Sequence, residues 1–161
     1  MTKEGIWIIT EKKEVKLLRK KTAKFDFSKH SRKEIQTLIK TMREAMKAAG
    51  GIGLSANQIG LDMKVFIAQP ENKFYAVFNP ELAKESSEEA LMEEGCLSVP
   101  SRYGAVQRPE KVTLIGQDSN GKKIKIKAWG ILARVFQHET DHLNGILFID
   151  KAEKIEKTKN Q

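Results

Sequence analysis

The residues with the clearest chemical potential lie in the run QHETDH at positions 137–142. Residues four apart on an α-helix return nearly to the same side, about 6 Å along its axis, so His138 and His142 can hold one cation together. Glu139 would then lie beside the ion and accept a proton from water that the ion activates. The alternative is a pair of exposed or hydrogen-bonded helix histidines, because a bare H-E-x-x-H pattern also arises by chance.

Two histidines do not complete a catalytic metal site, which generally has three protein ligands and one open position for water. The remaining candidates are Cys96, His30 and a carboxylate. Cys96 stands in the segment EGCLS at 94–98, and its thiolate would be the softest ligand in the chain. A lone cysteine is more often a small buried hydrophobe, and spacing alone leaves these alternatives open.

A third segment, GIGLSANQ at 51–58, consists mostly of small residues and directly follows a predicted helix. Its glycines allow unusual backbone angles and the close approach of a ligand. It does not match a phosphate-binding loop, because the lysine is missing and the segment follows a helix instead of leading from a strand into one. The alternative is a plain helix stop and turn.

The elements that must position these segments can be predicted from periodicity. Ser31 and Glu34 form a capping box at the start of a helix over 31–49, whose apolar side chains recur at helical spacing. Short β-prone runs at 64–68 and 74–78 predict strands, and the Asn-Gly pair at 120–121 predicts a hairpin between 112–115 and 124–127. A second helix over 130–144 carries the histidine pair.

We therefore predict an α+β fold, with antiparallel sheets packed around a central metal-binding helix and with an N-terminal helix. The length of 161 residues suits a single catalytic domain, which we place at 1–150, followed by a short charged tail at 151–161.

Composition limits the function classes. No apolar run approaches a membrane span, and the charged N-terminal segment does not match a secretory signal. The single cysteine excludes an intramolecular disulfide, and a free metal-binding thiol survives best in the cytosol, so we expect a cytoplasmic protein. The net charge of +8 would favour encounters with RNA or ribosomes, but the lysines are scattered without a nucleic-acid motif, which favours a solvated surface.

Taken together and in this order, the three segments resemble the peptide deformylase family. Its motifs are G-φ-G-L-A-A-x-Q, E-G-C-L-S and Q-H-E-x-D-H (φ hydrophobic), which stand here as GIGLSANQ, EGCLS and QHETDH within residues 51–142. The resemblance implies a metal-dependent hydrolase that removes the N-formyl group from the N-terminal formylmethionine of newly synthesised polypeptides. It also implies Cys96 as the third ligand beside His138 and His142.

The resemblance further implies a role for each site residue. Glu139 would act as general base and then as general acid while activated water attacks the formyl carbonyl, and the Gln58 amide and Leu97 backbone N–H would stabilise the oxyanion. The substrate would be bound by Ile52 and Gly53, which pair with the peptide backbone, and by Glu94 and Gly95, which border the methionine pocket. The family's usual metal is Fe(II), which Zn(II), Ni(II) or Co(II) can replace.

This chain departs from the family pattern at a few positions. Ser55 replaces the usual first alanine, and Tyr103 stands where an arginine commonly lines the substrate groove, with Arg102 one position earlier. The short tail lacks the long basic helix by which some members dock on ribosomes, so the resemblance implies at most a transient ribosome association and leaves direct docking open. Asp141 would orient a ligand histidine, cap nearby backbone or face solvent.

Two other functions compete with this interpretation. A zinc endopeptidase of the H-E-x-x-H type needs a third ligand downstream of His142, where only Glu153 and Glu156 are suitable. A non-catalytic ribosome or RNA binder would fit the net charge, but it would have no need for Glu139 and Gln58.

Overall fold

The computed structural model describes residues 1–158, in which three α-helices and eight β-strands are found. The helices are α1 (Lys12–Leu18), α2 (Arg32–Ala48) and α3 (Gly130–Leu143). The strands are β1 (Gly53–Ser55), β2 (Val65–Ala68), β3 (Tyr75–Glu85), β4 (Glu89–Cys96), β5 (Val99–Pro109), β6 (Lys111–Gln117), β7 (Lys123–Trp129) and β8 (Glu156–Lys157). None of these helices is long and apolar enough to span a bilayer.

All strand pairs are antiparallel, and they form two sheets. The larger sheet has the order β1-β2-β3-β6-β7, and the smaller one has the order β4-β5-β8. The predicted α+β class with antiparallel sheets is therefore confirmed.

Helix α2 begins and ends where the sequence predicted. The Ser31 hydroxyl accepts from the Glu34 backbone N–H at 3.2 Å, and the Glu34 carboxylate accepts from the Ser31 N–H at 2.6 Å, which completes the capping box. Its apolar stripe packs on β1, β2 and the start of β3, burying Ile35, Met42 and Met46. The shorter helix α1 was not predicted, because seven residues with one fully buried side chain, Leu18, give too little periodic signal.

Helix α3 lies at the centre of the fold and contacts β1, β2, β3, β6 and β7. Apart from half-buried His138, every side chain from Ala133 to Leu143 is buried. Phe136 packs near Phe66 and Tyr75, with ring centroids 5.6 and 5.3 Å away. Because polar residues of this helix are also buried, they must find their partners inside the protein.

The predicted hairpin is confirmed as β6 and β7, and both strands are longer than their β-prone runs indicated. The hairpin of β4 and β5 was not predicted. Glutamates on the exposed face of β4 depress its apparent β-propensity, although Ala90 and Met92 lie on the more buried face. In the predicted tail, Glu156 and Lys157 pair with Tyr103 and Arg102 as strand β8, whereas residues 159–161 lie outside the described part.

Candidate metal centre

Three potential metal ligands from two distant parts of the chain meet at one point. Cys96 ends β4, whereas His138 and His142 lie one turn apart on α3. The Cys96 Sγ lies 3.1 Å from His142 Nε2, and one ligand atom from each of the three residues lies within 4.8 Å of the others. His30, the competing candidate, stacks on Phe25 with a centroid separation of 4.7 Å and is not part of this cluster.

The two histidines present suitable nitrogens to this point. Glu94 accepts from His138 Nδ1 at 2.9 Å, which leaves Nε2 of that ring to face Cys96. Burial lowers the pKa of His142 well below its ordinary value, which favours the neutral form that binds metals. The sulfur and imidazole set suits Fe(II), Zn(II), Ni(II) and Co(II).

A buried carboxylate lies beside these three side chains. Glu139 follows His138 on α3, and its Oε2 accepts from the Ser55 hydroxyl at 2.6 Å. Burial raises the pKa of Glu139, although the charge of His138 and the Ser55 hydrogen bond oppose the rise. Gly53 of β1 lies so close to α3 that a Cβ on this residue would collide with Glu139 Oε1 and lie 2.9 Å from Val135 Cγ1. The backbone of β1 can therefore reach the carboxylate only because this position is glycine.

The Gln58 side chain is oriented at both ends. Its Oε1 accepts from the Ser55 backbone N–H at 2.9 Å, while Nε2 donates to Ser98 Oγ at 3.1 Å and lies 3.7 Å from Cys96 Sγ. The amide N–H₂ group therefore points at the cluster. The chain reverses after Cys96 through Leu97, which lines the adjoining cavity, and the Ser98 backbone N–H donates to the Cys96 sulfur at 3.4 Å.

Glu94 belongs to a buried ion-pair network that sequence reasoning missed. Its carboxylate accepts from Arg108 Nε at 2.6 Å and from Arg134 at 2.9 Å, in addition to His138. Burial alone would raise the pKa of Glu94, but the hydrogen bonds from His138 and Arg108 outweigh it and hold the pKa far below the ordinary value. Glu94 is therefore ionised and fixes the ring orientation of His138.

Asp141 extends the same network. It is buried, accepts from Arg108 at 2.7 Å and pairs with Lys151 at 2.9 Å. The expectation of a solvent-facing aspartate is wrong, because Asp141 is buried. Its connection to His138 runs through Arg108 and Glu94, so a role in orienting that histidine stays a prediction. The one sequence signal for this buried network was that Arg134 and Asp141 share a helix with a broad apolar face.

A cavity of about 550 Å³ adjoins the cluster. Its volume lies within the usual range for small-ligand sites. Its walls include Cys96, His138, Glu139 and Gln58, and also the residues expected to bind substrate, namely Ile52, Gly53, Glu94 and Gly95. Arg102 and Tyr103 line it too. The Tyr103 ring covers Gly95 so closely that a Cβ there would lie 2.7 Å from the ring, so this wall depends on glycine.

The arrangement has the parts of a metal-assisted hydrolase: three ligand atoms, an adjacent buried carboxylate, an amide donor and an open cavity. In contrast to the endopeptidase alternative, the cluster found within residues 1–158 takes its third member from upstream, Cys96, and includes neither Glu153 nor Glu156.

Known proteins resemble this chain in both sequence and fold. A family model for polypeptide deformylases matches residues 7–158. A peptide deformylase from Treponema pallidum is 45% identical over 118 residues, covering 73% of each chain, and one from Halothermothrix orenii is 45% identical over 125 residues, covering 76% of this chain and 80% of the relative. The crystal structure of peptide deformylase from Thermotoga maritima matches with a TM-score of 0.84 at 32% identity, covering 92% of this chain and 97% of that one. Because these matches extend over most of both chains, this chain belongs to the polypeptide deformylase family.

Proposed function

We propose that this chain removes the formyl group from N-terminal formylmethionine by using Cys96, His138 and His142 as ligands of one divalent ion and Glu139 as the acid–base group. The observation that supports this most directly is the convergence of a sulfur and two imidazoles within 4.8 Å, beside a buried carboxylate. The family is metal-dependent, and we propose Fe(II) as the physiological ion, with Zn(II), Ni(II) or Co(II) as replacements. When bound, such an ion lowers the pKa of water toward neutrality and polarises a carbonyl oxygen.

The protein groups then handle the proton and the developing charge. Glu139 takes the proton from the attacking water and later delivers it to the departing amine. Its raised pKa suits both steps, because a carboxylate that binds a proton more readily is a better base near neutral pH. The Gln58 Nε2 group and the Leu97 backbone N–H donate to the oxygen of the former formyl carbonyl as it gains negative charge.

Different residues of the cavity wall would bind different parts of the substrate. We propose that Ile52 and Gly53 offer backbone partners to the peptide and that Gly95 borders the methionine pocket. Glu94 borders the same cavity, but its carboxylate is occupied by Arg108, Arg134 and His138. We therefore assign Glu94 mainly to holding His138 and only its backbone to the pocket wall.

The enzyme acts on formylated nascent peptides, and we propose the cytoplasm as its location. A thiol that must remain a metal ligand supports this, because it persists best under reducing conditions. The net charge of +8 would support a transient association with ribosomes through long-range attraction.

The test is turnover of a formyl-Met peptide by protein prepared without oxygen and loaded with Fe(II) or Ni(II). We expect formate release from this substrate and no cleavage of an N-acetylated peptide at internal bonds. The matched variant Glu139→Ala should keep its metal but lose roughly 10²–10⁴ in kcat. Cleavage of internal bonds while the formyl group stays intact would instead support an endopeptidase, and loss of metal from Glu139→Ala would show that this residue is a ligand.

A further inference from the structure

Ser55 makes a contact that neither the metal cluster nor the cavity requires. The residue ends β1, is fully buried and points its hydroxyl at α3. The Ser55 Oγ lies 2.6 Å from Glu139 Oε2 and 3.1 Å from the main-chain oxygen of the same residue. A buried hydroxyl beside a buried carboxylate at this distance forms a short, charge-assisted hydrogen bond.

This hydrogen bond is also the main constraint on the carboxylate. Within residues 1–158, Ser55 is the only group found to donate to a Glu139 carboxylate oxygen. The other oxygen, Oε1, lies so close to Gly53 that a Cβ on that residue would collide with it. One strand therefore holds both oxygens: Ser55 engages Oε2, and Gly53 limits where Oε1 can move.

We propose that Ser55 is a positioning residue that holds the Glu139 carboxylate in a single orientation, with Oε1 left free to take the proton of the attacking water. The inference rests on the acid–base role proposed for Glu139. A side chain fixed before the reaction does not lose rotational freedom at the transition state, which lowers the barrier.

The second acceptor of the hydroxyl makes the contact useful throughout turnover. While Glu139 is ionised, the hydroxyl donates to Oε2. Once Glu139 carries a proton, the hydroxyl can turn about its Cβ–Oγ bond toward the main-chain oxygen at 3.1 Å and accept from the carboxyl group. No heavy atom has to move, so Ser55 keeps the same position in both forms of Glu139.

The motif that this segment resembles has alanine at this position, so the hydroxyl of Ser55 departs from the family pattern. The same comparison supplies a suitable variant, because Ser55→Ala removes one oxygen atom and leaves a side chain that this backbone segment accommodates in relatives. We expect metal content and KM to stay unchanged while kcat falls about tenfold, in line with the loss of one hydrogen bond to a charged group.

The matched control is Thr140→Val, which removes a buried hydroxyl from the residue next to Glu139. That hydroxyl has no hydrogen-bond partner among the described residues, so kcat should not change. All variants are loaded with Ni(II), and metal content, thermal midpoint, kcat and KM are measured on the same formyl-Met peptide.

Each result decides the matter. A fall in kcat alone, confined to Ser55→Ala, supports the proposal. An unchanged kcat overturns it, and a fall in kcat that is accompanied by loss of metal or of folded protein shows a purely structural role. If the loaded wild-type protein fails to release formate, the proposed function itself fails; if the wild type is active and Ser55→Ala matches it, only the positioning role fails.

Discussion

Replacing Glu94 with glutamine should weaken metal binding and destabilise the fold together. One Glu94 oxygen accepts from Arg108 Nε at 2.6 Å and from Arg134 at 2.9 Å, and the other accepts from His138 Nδ1 at 2.9 Å and from the Arg108 terminal nitrogen at 3.0 Å. Glutamine preserves the size of the side chain but removes its charge and turns one acceptor into a donor. Arg134 then loses the only charged partner found for it within residues 1–158, whereas Arg108 keeps its ion pair with Asp141. Either His138 or Arg108 also faces an N–H₂ group.

The magnitudes follow from burial. Removing one partner of a buried ion pair typically costs about 3–5 kcal/mol, because an uncompensated charge remains inside the protein. In a domain of this size, each kcal/mol shifts the thermal midpoint by about 2–4 °C, so the expected fall is roughly 6–20 °C. Loss of the group that orients a ligand histidine typically lowers metal affinity by about 10–100-fold.

Two measurements separate these effects. Metal affinity is obtained by competition with a chromophoric chelator, and stability is obtained from the thermal midpoint and from urea unfolding of the metal-free protein. The matched control is Glu93→Gln, because the Glu93 side chain is exposed on the same strand and no ion pair is found for it within residues 1–158. If Glu94→Gln binds metal as tightly as Glu93→Gln and unfolds at the same urea concentration, the network does not support the site as argued above.

Two further substitutions test the ligand set and the close approach of β1. Cys96→Ser replaces the proposed sulfur ligand with a hydroxyl, which binds these metals less well. Metal affinity should therefore fall by more than the roughly 10–100-fold expected when a residue that only orients a ligand is lost. Unchanged metal content after dialysis against a chelator would remove Cys96 from the ligands. Gly53→Ala would place a Cβ against Glu139 Oε1 and 2.9 Å from Val135 Cγ1, so either β1 or the carboxylate must shift. Such a displacement should lower kcat about 10²-fold with metal content unchanged, and full activity would show that the segment adjusts freely.

The parts of the site that depend on local spacing could be predicted from the sequence. His138 and His142 share one helix, so their separation follows from helix geometry alone. The capping box at Ser31 is equally local, and so is the Asn-Gly turn between β6 and β7. The third ligand was different, because spacing left Cys96 and His30 as alternatives and only the family resemblance selected the cysteine.

The β4–β5 hairpin shows why the remaining fold features were missed. Glutamate is depleted in strands generally, yet here Glu89 and Glu93 lie on the exposed face while Ala90, Met92 and the Glu94 carboxylate turn inward. A window of sequence cannot distinguish an inward glutamate from an outward one, because the difference is set by Arg108 on the neighbouring strand and Arg134 on α3.

This network also explains how two of the proposed ligands, Cys96 and His138, can be held in register although they are 42 residues apart. The cysteine sits where β4 turns into β5, and an independent movement of this sheet relative to α3 would pull the sulfur away from the imidazoles. Glu94 lies two residues before Cys96 and binds both Arg134 and His138 on the helix. The same carboxylate therefore joins the sheet to the helix and orients the His138 ring, so the geometry of the proposed metal centre and the packing of the domain depend on one buried charge.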